Sequence, residues 1–379
     1  MKKSILFLAA VSALMVSVSC SNDEVEGAQA PDNDTFISAP VEIRLGALAS
    51  VTTRAALDDI DDIEDGELGV FCLARAKHDD AGSSVPAPSW FNNSFDANYK
   101  NYMCIINNDA ASIGTGGAIT LSTTYFYPYI QAYKYDFYAY YPRKANPSTS
   151  GGKVRVDYVL DGKTDIVCGR ATKDAEYAYS AKYFRYNTDQ PVVTLNHKLT
   201  RLRFFIEPAE DTPGSNTYVD ATNLTVTSLK VKQAVKNVTL TIADQASASS
   251  LTYTGSEPVK DDMILYDSNG STFTPKTVSN DGSSTQLGES LLLYPASTYQ
   301  IEFTVKKAGE SDVVNTITSD IKISNTKSFE AGKVYDITLV LKGPNAVSVK
   351  SVLTPWGTYI PEDSEEEQNL NPTFNVGTN

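Results

Sequence analysis

From residue 40 onward, apolar and polar positions alternate in short runs with a period of two, and almost no stretch repeats at helical spacing. Clusters of Gly, Asn, Asp, Pro and Ser, the residues that turn a chain, separate these runs. The first half predicts strands at 40–46, 67–74, 100–106, 117–121, 124–127, 134–141, 153–159 and 192–196. The second half predicts strands at 199–207, 223–232, 236–242, 250–254, 290–294, 299–307, 312–322, 335–342 and 345–353. Many short strands without intervening helices imply an all-β chain of sandwiches rather than βαβ units. In Val41-Glu-Ile-Arg-Leu45, Val41, Ile43 and Leu45 share one face while Glu42 and Arg44 share the other. Asp136–Tyr141 hardly alternates, and its aromatic density predicts burial on both faces. The clearest domain break lies near 189–198, where Asn187-Thr-Asp-Gln-Pro191 leads into two strands flanking His197. The Ser/Gly/Asn stretches at 142–152 and 267–289 read as surface loops or excursions.

The chain before the first strand reads as an export and anchoring device. Lys2 and Lys3 precede an apolar stretch, Ile5–Val18, that falls short of the roughly 20 residues needed to span a bilayer. Small residues Ser17 and Ser19 stand just before Cys20, which resembles a bacterial lipobox. The expectation is a signal peptide at 1–19, lipidation of Cys20 and a tether at 20–39. Several acyl chains on Cys20 suffice for stable anchoring in the outer membrane, where one chain is marginal. Ordinary secretion, with Cys20 uninvolved, is the alternative. The short polar and acidic run Ser21-Asn-Asp-Glu24 resembles surface-export signals of Gram-negative anaerobes.

Composition narrows the body of the protein. Tyrosine is used 22 times, Met and Trp are scarce, and Thr, Ser, Val and Gly are abundant, as in β-rich extracellular chains. About 360 residues after processing make room for two domains. The net charge of −14 and the lack of a basic run argue against nucleic acid or anionic lipid as partners. Apart from Cys20, three cysteines remain, Cys72, Cys104 and Cys168, each beside apolar residues. They read as buried small hydrophobes, with one disulfide among them left open.

Candidate chemistry is sparse. His78 lies in a charged loop, and His197, between apolar strand residues, reads as a structural histidine. No Cys or His pair has zinc spacing, and neither a nucleophile elbow nor a phosphate loop occurs. The run Asp58-Asp-Ile-Asp-Asp-Ile-Glu-Asp-Gly66 invites a calcium reading. Aligned on Asp61, however, it has Ile63 at the third ligand position and Cys72 where the closing Glu belongs, so a solvated linker fits better. No enzyme activity, cofactor or metal is expected. The aromatics from Tyr125 to Tyr141 could form a sugar platform, although aromatic strands are more often core.

A series of short landmarks is similar, in order, to the fimbrillin family, the type V pilins of anaerobic Gram-negative bacteria and their minor-subunit relatives. They are Thr53-Arg-Ala55, Asp65-Gly-Glu-Leu-Gly-Val-Phe71, Tyr125-Phe-Tyr-Pro128, Tyr135-Asp-Phe-Tyr-Ala-Tyr-Tyr-Pro142, Asp165-Ile-Val167, Leu195-Asn-His-Lys-Leu-Thr-Arg201 and Phe329-Glu-Ala-Gly-Lys-Val-Tyr335, with Trp356 after the last. The departures are Leu68 at the usual Ile position and an acidic tail after Trp356.

The resemblance implies two transthyretin-like β-sandwich domains in tandem, at 40–195 and 196–356, followed by an acidic tail at 357–379. It further implies a lipid-anchored precursor, a trypsin-like protease cutting between Arg54 and Ala55, and removal of the 40–46 strand. Polymerisation with other pilin subunits by donor-strand exchange would follow at the cell surface, contributing to adhesion to a host or bacterial receptor. Candidate donors are the strand carrying Val347 and Val349, which equally suits the last strand of the second domain, and the tail segment with Phe374 and Val376. Arg54 also reads as an exposed loop arginine, and the tail run Glu362–Glu367 as a solvated one. The competing function is a lipid-anchored adhesin that binds glycan or host protein and does not polymerise.

Overall fold

The structure, a computed structural model, describes residues 40–49, 67–76, 103–114, 117–127, 133–149, 153–171, 173, 179–180, 184, 190–212, 214, 217–219, 221, 223–244, 249–268, 270–307, 314–323, 327–343 and 346–354. Their regular elements are nineteen strands, and the chain is all-β. Lys153–Val159 and Tyr299–Lys307 coincide with the runs the alternation predicts.

The first half closes on itself. A barrel runs in the order β1 (Leu45–Ala49), β4 (Ala118–Leu121), β3 (Met103–Gly114), β2 (Leu68–Ala76), β5 (Tyr133–Tyr141), β7 (Val167–Ala171) and β8 (Val192–His197). β1 is the closing stave, antiparallel to β4 on one side and parallel to β8 on the other. A three-stranded sheet joins β6 (Lys153–Val159) of the first half to β11 (Asn237–Asp244) and β12 (Ser250–Tyr253) of the second.

The remaining strands form two sheets. One runs β15 (Thr285–Leu293), β9 (Thr200–Pro208), β18 (Val334–Gly343) and β19 (Ala346–Thr354). The other runs β13 (Lys260–Ile264), β10 (Leu224–Val235), β16 (Tyr299–Lys307) and β17 (Val314–Ile321), with the short β14 (Lys276–Thr277) also on β10. In β9 and β16 burial alternates residue by residue: β9 buries Leu202, Phe204 and Ile206 and turns Arg201, Arg203, Phe205 and Glu207 outward, and β16 buries Ile301, Phe303 and Val305 and turns Gln300, Glu302 and Thr304 outward.

One cluster of buried side chains runs from Phe71 and Tyr140 in the barrel through Val156 and Leu240 to Phe303 and Val349. This explains the missing alternation in β5. Tyr138 and Tyr140 belong to that cluster, while Phe137 packs edge-to-face on the other side with Tyr127 and Tyr179. A strand covered on both faces has no polar side to display, and Tyr135–Tyr140 is buried throughout.

Candidate functional site

The strand singled out by its alternation sits in the seam of the barrel. Ile43 N–H donates to Tyr125 O (2.9 Å), and Tyr127 N–H donates to Val41 O (2.9 Å), around a bridge between Glu42 and Phe126. Farther along, Ala47 N–H donates to Gly117 O (2.6 Å) and Gly46 N–H to Pro191 O (2.9 Å). Leu45 then pairs with Ile119 on β4, and Ala47 and Ala49 pair with Val193 and Leu195 on β8. Ile43, Leu45 and Ala47 are 3–4% exposed. Glu42 and Arg44 face outward and bond each other at 2.9 Å, with the Arg44 side chain 69% exposed. The ladder proper begins at Leu45 rather than residue 40, since the earlier residues pair only with the short Tyr125–Tyr127 segment. In the sequence Pro128 follows directly, and proline has no N–H to extend a ladder.

Glycines bring the backbones around this seam together. Gly117 has φ +80°, and a Cβ there would lie 2.3 Å from Ala47 O. A Cβ on Gly169 of β7 would lie 1.9 Å from Thr194 O on β8. A side chain at either position would push backbone against backbone. If the strand departs, carbonyls of Tyr125, Gly117 and Pro191 lose their partners and the apolar slot under Ile43 and Leu45 opens. An edge of this kind accepts another strand with apolar residues at alternate positions.

Aromatic packing backs the slot. Tyr127 stands 5.3 Å from Tyr135 and 5.4 Å from Phe184, and burial pushes its hydroxyl well above the usual tyrosine pKa. Among its described residues the aromatic stretch is therefore mostly core, with Phe126 the large apolar side chain exposed. Cys72, Cys104 and Cys168 are free thiols. Burial raises Cys72, pushes Cys104 up to about 12 and moves Cys168 to about 11. His197 Nδ1 donates to Asp165 Oδ2, the satisfied arrangement its sequence setting suggests. Among the described residues, no group of three or more His, Cys, Asp or Glu is arranged to hold a metal.

Val347 and Val349 are buried on β19, paired with Leu341 and Leu339 of β18. Cys20, Arg54, Ala55, Phe374, Val376 and His78 lie outside the described residues. Sequence reasoning did not identify the partners of the first strand, Gly117, Pro191 and β8. Gly117 at the start of the strand predicted over 117–121 is the local hint of them.

No curated protein matches the chain. Among solved structures, a fimbrial protein from Bacteroides vulgatus ATCC 8482 is 16% identical with a TM-score of 0.50, the match covering 83% of this chain and 99% of that one. A Bacteroides uniformis ATCC 8492 protein named for cell adhesion is 15% identical, with a TM-score of 0.49 and coverage of 84% and 99%. A fimbrial assembly protein from Parabacteroides distasonis ATCC 8503 is 11% identical, with a TM-score of 0.38 and coverage of 83% and 99%. Residues 53–356 match the family model described as fimbrillin-like, and the chain belongs to that family.

Proposed function

We propose that this protein is a structural subunit of a cell-surface fimbria, made as a lipoprotein precursor anchored through Cys20. Two tandem transthyretin-like sandwiches, 40–195 and 196–356, form its body. A trypsin-like protease cuts between Arg54 and Ala55, the strand from Val41 to Ala49 leaves, and a strand from a neighbouring subunit takes its place. The position of β1 carries this reading. It is the stave that closes the barrel, bonded on both edges, and Arg54 follows it by five residues. Cutting there converts an intramolecular strand into a ligand held only by non-covalent contacts. Burying Ile43 and Leu45 is worth roughly 1.5–3 kcal/mol each, so an incoming strand needs comparable apolar residues at alternate positions.

The tail after Thr354, with Phe374 and Val376, is the better donor. Val347 and Val349 are already committed to a nine-residue pairing with β18. The same pairing favours the second reading, a lipid-anchored adhesin that stays monomeric, if the tail proves dispensable. In either form the protein is surface-exposed and works by binding rather than turnover. The test is truncation after Trp356 in the full precursor. Processed wild type should form oligomers resistant to mild SDS while the truncated form stays monomeric; oligomers from the truncated form would remove the tail as donor.

A further inference from the structure

A cavity of about 610 Å³ lies along β7 and β8 and is lined by Gly169–Ala171 of the first and by Val192, Thr194 and Asn196 of the second. Its polar wall includes Arg170, Thr194, Asn196, His197, Lys198 and Ser249. In a chain with a net charge of −14, the described residues of this wall include the cations Arg170 and Lys198, and no carboxylate is among them. Asp165 is engaged with His197 Nδ1. Lys198 is half-buried, and its ammonium donates to the Ser249 carbonyl oxygen at 3.3 Å, with no ion pair to a carboxylate among the described residues. A partly desolvated ammonium without a counter-charge is costly, and an entering anion relieves that cost.

The surroundings favour one class of anion. β7 is paired with β5 and β8, and β8 with β7 and β1, so neither offers a free backbone edge to a peptide. Short polar groups instead point to a hydroxylated ligand. Asn196 Nδ2 donates to Thr194 O at 3.1 Å, which leaves the carboxamide oxygen and a second N–H for other partners. The volume lies within the range of ordinary small-molecule sites.

We propose that this cavity binds a carboxylated sugar, a hexuronic or nonulosonic acid residue, with Lys198 and Arg170 holding the carboxylate and Thr194, Asn196 and Ser249 facing its hydroxyls. The site is built in the intact barrel and does not depend on strand exchange. Burial also lowers the pKa of Lys198, which fits an ammonium that gains from an anion beside it.

The test is a ligand-observed NMR titration of the full chain with sodium glucuronate and with N-acetylneuraminate, using glucose as the neutral control and a tetraglutamate peptide as the acidic competitor. Saturable millimolar binding of at least one acid, none of glucose, and weakening as salt is raised are expected. Lys198→Met, which keeps the aliphatic stem, should weaken binding by about tenfold or more. Arg170→Gln gives a second reading should Lys198→Met fail to fold, as judged by its melting curve. Absence of binding for both acids, full binding in both variants, or tighter binding of tetraglutamate than of either sugar acid would overturn the proposal.

Discussion

Leu45→Ala separates a strand that merely contributes to the core from one built to leave. Leu45 is 3% exposed and faces Ile119 across the β1–β4 pair. Truncating a side chain so enclosed costs about 3 kcal/mol, the transfer loss plus the cavity left behind. In the uncut protein that cost appears as an ordinary fall in melting temperature. After limited trypsin cleavage at Arg54, it falls on the docking of the detached fragment, where about 3 kcal/mol is roughly a 150-fold loss of affinity. Most of that change should appear as faster release. The control is Arg44→Ala, one residue away on the outer face, whose exposed ion pair with Glu42 is worth little. The assay labels the N-terminal fragment with a fluorophore, cuts the protein, and follows release in the presence of excess unlabelled 40–54 peptide. Wild type and Arg44→Ala should release slowly and alike, and Leu45→Ala about two orders of magnitude faster. Equal release of the Leu45→Ala and Arg44→Ala fragments refutes the view that the buried face of this strand seats it.

Other sites give independent checks. Gly169→Ala drives a Cβ to 1.9 Å from Thr194 O and should part β7 from β8, giving insoluble protein or a broadened melting transition. Asp336 accepts from Arg203 at 2.6 and 2.7 Å across the β9–β18 pair, so Arg203→Lys, which loses the fork, should lower urea stability by about 1–2 kcal/mol; an unchanged midpoint contradicts this. Tyr140→Phe removes a hydroxyl that donates to Asn108 Oδ1 at 2.7 Å and should cost about 1–3 kcal/mol by the same measurement. Burial raises Cys104 to about 12 and Cys168 to about 11, which favours the neutral thiol in the folded state. Stability from these groups is therefore complete below the unfolded thiol pKa and is lost as pH rises through 11 and 12. Urea midpoints should hold to about pH 8.5, near that unfolded value, and then fall. A Cys104→Ala/Cys168→Ala variant should show a shallower fall, and an identical slope rules the thiols out.

What the sequence disclosed depended on whether one face of a strand meets water. Ile43 and Leu45 were legible because Glu42 and Arg44 between them are solvated, and the same holds for β9 and β16. β5 was legible through its aromatic density, since a strand covered on both faces has no period to read. β7, Val-Cys-Gly-Arg-Ala, lacked both signals and was seen only as a short landmark around Asp165. β13 was missed because Lys260-Asp-Asp-Met-Ile carries residues depleted from strands. It lies at a sheet edge, where Asp262 pairs with Lys230 at 3.0 Å and Asp261 pairs with Lys236. The end of β3 was missed because Asn107-Asn-Asp reads as a turn, and Asn108 does take a positive φ of 55° within the strand. Pairing partners were hidden altogether. The parallel match of β1 with β8 and the crossing of β6 to β11 join segments far apart in sequence, which no local period encodes. For the same reason the seat of the first strand, and the cavity beside Lys198, became visible only in the folded chain.

The fimbrial reading turns on what the precursor becomes when it is cut. Purified full-length protein treated with a trypsin-like protease, then analysed by intact mass and by gel electrophoresis in mild SDS, gives both answers at once. The reading predicts a product whose N-terminus is Ala55 and a ladder of oligomers that grows with concentration. A product that begins at Ala55 yet stays monomeric at high concentration would contradict it.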